Sequence, residues 1–227
     1  MIGIIGAMKI EVERLTSDMT DVKREVISGI EFFSGKLYGT EAVVAQCGIG
    51  KVFAALCAQT MIIKYGVDTV INTGVAGTLT SKLGIGDIAV SSACVQHDMD
   101  TSPLGDPMGL ISGINIIEIP ADSELCGNIC DAARGLGINA VAGVIASGDC
   151  FVSSADKKKY ISDTFGAVAC EMEGAAVAQV CYVNRVKYAV IRAISDNADG
   201  TADMDYGEFS KIAARNSAEV VKSLLRR

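Results

Sequence analysis

The sequence predicts an α/β domain of three layers, built on a central mixed, largely parallel sheet. Three observations predict it. Short β-branched runs bounded by Gly or Asp recur along the chain. Several of these runs are apolar on both faces, which suits interior strands rather than half-exposed ones. Helical patterns fall between the runs, and alternation of that kind gives layered α/β architecture.

The strand candidates, in order, are IGIIGA (2–7), EFFSGKLYG (31–39), EAVVAQCG (41–48), TVINTG (69–74), DIAVSSACV (87–95), AVAGVIASG (140–148), AVACE (167–171) and YAVIRAI (188–194). Gly39-Thr40 reads as the turn between the second and third. Glu11 opens a helix directly after the first strand. The segment 51–64 is a helix apolar on most sides, so it is expected to be well buried. The segment 174–183 is short and alanine-rich, suited to close packing on a sheet. The last helix, 207–225, is amphipathic, with Phe209, Ile212, Ala213, Val220 and Leu224 at helical spacing. Asp205 and Glu208 stand at its start and Lys222, Arg226 and Arg227 at its end, in the sense the helix dipole favours. The stretch 97–112, rich in Asp, Pro, Gly and Ser, reads as a long loop, and loops of that length are uncommon unless functional. No linker or repeat divides the chain, so residues 1–227 read as one domain.

Composition narrows the partners. Half of the residues are hydrophobic and few are aromatic, so the core is one of Val, Ile, Ala and Leu. The net charge of −7 argues against a nucleic-acid partner. The basic clusters Lys157-Lys158-Lys159 and Arg226-Arg227 read as solvated helix ends. Eight cysteines are scattered without a CxxC pair, and there is a single histidine, so no metal site is expected. Buried thiols in a reducing cytosol fit better than a disulfide framework. Met1 opens straight into an apolar strand with no basic leader, and the longest uncharged run, 135–148, is too short to span a bilayer. A cytoplasmic protein with no membrane partner is expected.

In open α/β sheets, ligands bind beyond the carboxyl ends of the strands. The residues just past each apolar run are therefore informative. The first run leads to Glu11, the third to GIGKV, the 69–74 run to VAGT, 140–148 to Asp149 and Phe151, 167–171 to Glu173, and 188–194 to Asp196. Acids and glycine turns thus gather at strand ends from at least four parts of the chain. Each has a plainer reading: Glu11 as an acid in a surface helix, Asp196 as a turn cap, Glu173 as a buried carboxylate capping backbone N–H groups. Glu171 and Glu173 are the only charges between Ala167 and Asn184, with no positive charge beside them. If residues 171–173 are strand, the two acids share a face; if a helix begins there, they diverge. GIGK at 48–51 fails the Walker pattern and GIIGAM at 3–8 lacks a third dinucleotide glycine, so neither ATP nor NAD is indicated. His97 lies in the loop and there is no GxSxG elbow, which leaves little room for a hydrolase triad. Met8 and Met172, beside the acids, suit either core or a face stacked on an aromatic base.

IIGAMKIEVERL, CGIGKVFAA, NTGVAG, ASGDCFV, CEMEGAAVAQV and VIRAISDNAD, in this order, resemble the 5′-methylthioadenosine/S-adenosylhomocysteine nucleosidases of the nucleoside phosphorylase superfamily. The resemblance runs from residue 2 to the last helix. It implies a nucleoside phosphorylase-like fold and hydrolysis of the N-glycosidic bond of adenine nucleosides bearing a 5′-thioether, without metal or organic cofactor, in methionine salvage. It implies Glu11 as the acid that activates water, Asp196 as the proton donor to adenine N7, and Glu173 as the ribose-hydroxyl binder. Met172 would pack on the ribose, Phe151 would stack on adenine, and the backbone at Val152 would bond it. Gly77 in the VAG turn, Arg192, Ser195, Met8 and Ile49 would complete the pocket, with Tyr206 in place of a phenylalanine. It also implies a homodimer in which the 97–112 loop reaches the neighbouring subunit's pocket. Val75 departs from a usual small hydroxyl residue, and Leu104, Asp106 and Ser112 depart within the loop, so the 5′-substituent is left open.

The chemistry suits separated acids. Breaking an N-glycosidic bond builds an oxocarbenium-like cation, and Asp196 must hold a proton near neutrality, which burial and neighbouring carboxylates favour. Two other readings stay open: a phosphorylase on the same fold, which needs cationic groups for phosphate, and a non-catalytic nucleoside-binding domain.

Overall fold

The apolar runs assemble as one mixed sheet. The structure, a computed structural model, describes residues 1–199 and 201–226. In chain order the elements are β1 (Ile2–Gly6), α1 (Lys9–Ser17), β2 (Met19–Ile27), β3 (Ile30–Leu37), β4 (Thr40–Gln46), α2 (Lys51–Tyr65), β5 (Thr69–Thr78), β6 (Ile88–Gln96), β7 (Ile119–Pro120), α3 (Ser123–Gly135), β8 (Ala140–Ser147), α4 (Ala155–Phe165), β9 (Ala167–Glu171), α5 (Gly174–Asn184), β10 (Lys187–Asp196) and α6 (Ala202–Leu225). The strand order is β10-β6-β8-β9-β5-β1-β4-β3-β2, with β7 beside β6. β10 also pairs in parallel with β5, so five strands close on themselves while β1, β4, β3 and β2 extend from β5 as an open sheet.

Helices cover both faces. Ala54, Cys57, Ala58 and Met61 of α2 and Val177, Ala178 and Cys181 of α5 form one buried layer with the sheet. Val12 and Leu15 of α1, Ile129 and Ala133 of α3, and Ala213, Val220 and Val221 of α6 form the other. A smaller cluster seats Ile161 and Phe165 of α4 against Val95 and Ala146. This is the three-layer arrangement expected from the alternation of runs.

β5 creates the site. It pairs with β1 only as far as Asn72, and with β9 only from Gly77. Between those points one edge of a fully buried strand has no strand neighbour, so its N–H groups are open to side chains. The carboxyl ends of β1, β5, β9 and β10 surround this gap.

Several expectations are corrected. The VAG segment is strand, not turn: β5 runs on to Thr78 because its second half gains β9 and β10 as partners. β10 likewise continues through Ser195 and Asp196. The β3–β4 turn is at Tyr38-Gly39, one residue early, both with positive φ. α2 is not buried all round: Val52 and Ile63 are 71% and 74% exposed. α6 begins at Ala202, so Tyr206 lies inside it; Ile212 faces outward, Ala213 and Val220 are buried as expected, and Ala214, Ala218 and Val221 join them in the contact. The loop after β6 runs past Ser112 to the short β7, with a helical turn at Ser102–Leu104. The lysine cluster lies in the first half of α4: Lys159 pairs with Asp163 at 2.6 Å in solvent, but Lys158 donates to the Asn197 carbonyl. Arg226 lies over the Tyr38 ring, and Arg227 is outside the described residues. All eight cysteines are free thiols, and all but Cys150 are buried.

Candidate active site

Glu11 occupies the third position of α1. Its Oε2 accepts from the Met8 N–H at 2.8 Å, satisfying one of the unpaired donors at a helix start. Its Oε1 accepts from the Val75 N–H at 3.1 Å, inside the gap on the β5 edge. The acid is therefore part of the sheet's hydrogen bonding rather than a surface feature. Burial raises its pKa, against the pull of Arg192 and of the backbone donors. A Cβ on Gly74 would stand 2.5 Å from Oε1, so the glycine is what lets the carboxyl approach the strand.

Asp196 ends β10. Its Oδ2 accepts from Ser195 Oγ at 2.8 Å and its Oδ1 from the Ala198 N–H at 2.9 Å. Burial raises its pKa, opposed by those two donors. A Cβ on Gly77 would lie 2.6 Å from Oδ1, so here too a β5 glycine makes room for an acid.

The two acids of the EME segment diverge, because β9 stops at Glu171 and α5 starts at Gly174. Glu173, between them, points across to α2, where its Oε1 accepts from the Gly50 N–H at 2.7 Å. Burial and then the Glu171 charge push its pKa up to about 8, against Arg192. Glu171 folds back: it accepts from the N–H groups of Glu173 and Gly174, from Ser147 Oγ and from the Arg192 guanidinium. The absence of positive charge seen in the local sequence is thus corrected. Arg192 comes from a strand 21 residues further along the chain, paired through β5.

These acids border a cavity of about 540 Å³. Its other walls are mainly apolar: Met8, Ile49, Val75, Gly77, Phe151, Val152, Met172 and Tyr206, with Ser195 beside Asp196. Every residue picked from the sequence reaches this cavity except Arg192, which is buried behind it with its guanidinium on Glu171 and Asn72. Phe151 and Tyr206 meet edge to face with centroids 5.7 Å apart, and Tyr206 Oη is 3.0 Å from Met8 Sδ. Sequence reasoning missed Ala7, Ala76, Cys150 and Cys170 in the wall. Small apolar residues carry no chemical signal, so only their neighbours in the motifs pointed to them. It also missed Asn72, inside β5, and Ser147, at the end of β8, which brace Arg192 and Glu171.

The GIGK loop has its donors committed. Gly50 N–H goes to Glu173, and Lys51 N–H goes to Asp149 Oδ1 at 2.8 Å. A helix start that would bind an anion is occupied by the chain's own carboxylates. His97 is buried beside Cys150, and burial pushes its imidazole toward the neutral form.

A sheet closed through β5 and β10, with acids at its strand ends, is the architecture of the phosphorylase superfamily, whose family model matches residues 1–226. A 5′-methylthioadenosine/S-adenosylhomocysteine nucleosidase of Shewanella loihica is 41% identical over 99% of this chain and 98% of its own. The structure of the nucleosidase of that name from Neisseria meningitidis, in complex with methylthio-immucillin-A, superposes with a TM-score of 0.95 at 36% identity, covering 99% of this chain and 98% of that one. A futalosine hydrolase of Helicobacter pylori superposes with a TM-score of 0.94 at 39% identity, covering 98% and 96%. The chain belongs to the 5′-methylthioadenosine/S-adenosylhomocysteine nucleosidase family.

Proposed function

We propose that the protein hydrolyses the N-glycosidic bond of 5′-methylthioadenosine, S-adenosylhomocysteine and related 5′-substituted adenosines. The observation that carries this is the convergence of three buried acids from α1, the β9–α5 junction and β10 on one apolar cavity. The base would lie between Phe151 and Met172, within reach of Asp196, and the ribose against Glu173 and Met172. Asp196 gives its proton to adenine N7 as the bond from C1′ to N9 breaks. Glu11 takes a proton from water as the water oxygen bonds C1′. Adenine and the thioribose result. The negative side chains face a developing sugar cation in a cavity with mainly apolar walls, and such charges act most strongly where water is excluded.

The phosphorylase reading is not favoured. The GIGK donors are taken by Glu173 and Asp149, and Arg192 is taken by Glu171, which leaves no free cationic group for phosphate among the described residues that line the cavity. The test is adenine release from methylthioadenosine in phosphate-free buffer. Absence of adenine, or release only with phosphate and a pentose 1-phosphate product, overturns the proposal. A panel varying only the 5′-group, futalosine included, sets the substrate range. Leu104 is 83% exposed on the divergent loop, consistent with a loop built to meet another surface.

A homodimer is the second part of the proposal. Ile49, Val52, Phe53 and Leu56 around α2, with Tyr182 and Val183 of the adjacent α5, form an exposed apolar face beside the cavity mouth. Contiguous apolar surface of this kind marks an interaction site. Docking there would bring the partner's 97–112 loop to the 5′ end of the cavity. Eight free thiols support a reducing, cytoplasmic setting, and the substrate class supports a place in methionine salvage. No helix among the described residues is long and apolar enough to cross a membrane.

A further inference from the structure

Three carboxyls, Glu11, Glu171 and Glu173, share one buried cation, Arg192. Ionising all three in a dry region is costly, and one guanidinium offsets one charge. Where that guanidinium sits therefore matters as much as its presence. Its Nη1 donates to the carbonyls of Asn72, at 3.1 Å, and Ile191, at 3.0 Å. Its Nη2 donates to Asn72 Oδ1, at 2.5 Å, and to Glu171. Asn72 is itself held, its Nδ2 donating to the Ile5 carbonyl at 2.9 Å. Glu171 is fixed from its other side by Ser147, whose Oγ also accepts from the Ala175 N–H at 2.7 Å. Glu173 receives only a long approach from Arg192, 3.9 Å, and takes its one close bond from Gly50.

We propose that Glu171 is a positioning residue: it clamps the Arg192 guanidinium behind the cavity, so that Glu173 meets the ribose hydroxyls without a direct ion pair. This rests on the reading of Glu173 as the ribose-binding acid. An acid that keeps its proton can donate to a ribose oxygen as well as accept, whereas one paired to Arg192 can only accept. The groups facing Glu173 agree with this balance. They are the Gly50 N–H from just before α2, Glu171 from the end of β9, Arg192 from β10, Glu11 from α1, Cys47 from the loop after β4 and Tyr206 from α6. Burial and the Glu171 charge outweigh Arg192 there, raising the Glu173 pKa to about 8.

The test is equilibrium binding of a non-hydrolysable 5′-alkylthio adenosine analogue against pH, by calorimetry, with folding checked by circular dichroism. In the unaltered protein, affinity is expected to fall as pH rises through about 8. Glu173→Gln should remove that limb; if it persists, the ribose-binding reading of Glu173 fails. Glu171→Gln removes a like charge and frees Arg192, so the limb should move to lower pH by about 1–3 units. Ser147→Ala loosens Glu171 without removing it and should move the limb in the same direction by less. Loss of stability with the limb unmoved in the folded variants, or in Ser147→Ala alone should Glu171→Gln not fold, makes Glu171 merely structural and overturns the proposal.

Discussion

In the proposed reaction Asp196 and Glu11 take separate parts, and the fold holds them apart: Asp196 ends β10, while Glu11 stands in α1 and bonds the open edge of β5. Asp196→Asn keeps the shape of the side chain and removes its proton, so kcat is expected to fall by ~10²–10⁴ with KM little changed. Steady-state kinetics on methylthioadenosine check this. Burial displaces both acids upward from the ordinary values of 3.8 and 4.5, so the limbs of the pH profile should lie above those of free side chains. Stability carries a matching signature. The folded pKa of Glu173, about 8, lies above its ordinary value of 4.5, so the folded state keeps a proton that the unfolded chain releases. Its contribution is full below pH 4.5 and is lost as pH rises toward about 8. The melting temperature should fall across that window, and Glu173→Gln should flatten the fall. At this scale much was legible: both acids and Glu173 stood out in their motifs. Arg192 was legible as important but not as to place, since its partners Asn72 and Glu171 are on other strands.

β5 matters most among the elements. Its glycines at 74 and 77 each face a carboxyl across a gap that a methyl group would fill. Gly74→Ala should displace Glu11 and Gly77→Ala should displace Asp196; a misplacement of about 1 Å is worth roughly 10²-fold in rate. The measurement is kcat/KM alongside a circular dichroism spectrum that stays unchanged. Reading Gly77 as a turn residue was reasonable locally, because two glycines in four residues usually mark a turn. The strand continues because β9 and β10 supply partners that no local pattern announces. Interior strands such as β1, β4 and β8 were legible from their apolar runs. β2 was not, for between Met19 and Ile27 every residue is exposed, so no buried stripe reveals it. α3, with Gly127 in its middle, carries no clear pattern, and α4 is read only as a solvated helix end at its three lysines, which lie in its first half.

At the scale of the whole molecule, the exposed apolar face of α2 and α5 is where the proposed assembly is tested. Val52→Asp together with Leu56→Glu places charge in it and should convert a dimer to a folded monomer. Light scattering after size exclusion reads the mass; a monomeric unaltered protein, or an unchanged dimer in the variant, would refute the assembly. The proposed assembly would also account for the apolar positions all round α2, since a helix with a second packing surface outside the chain is expected to be apolar on both sides. By itself the sequence determined the layered α/β class, the order of the motifs and the identity of three acids, because strand runs, glycine turns and carboxyls are local features. Only the tertiary structure decided which acid holds Arg192, where the buried guanidinium sits and that the donors of the glycine loop are taken by carboxylates. Those depend on β5 pairing with both β9 and β10, which brings Asn72 to Arg192 across 120 residues of chain. Electrostatics in a buried site follows distance in space, and spacing along the chain does not report it.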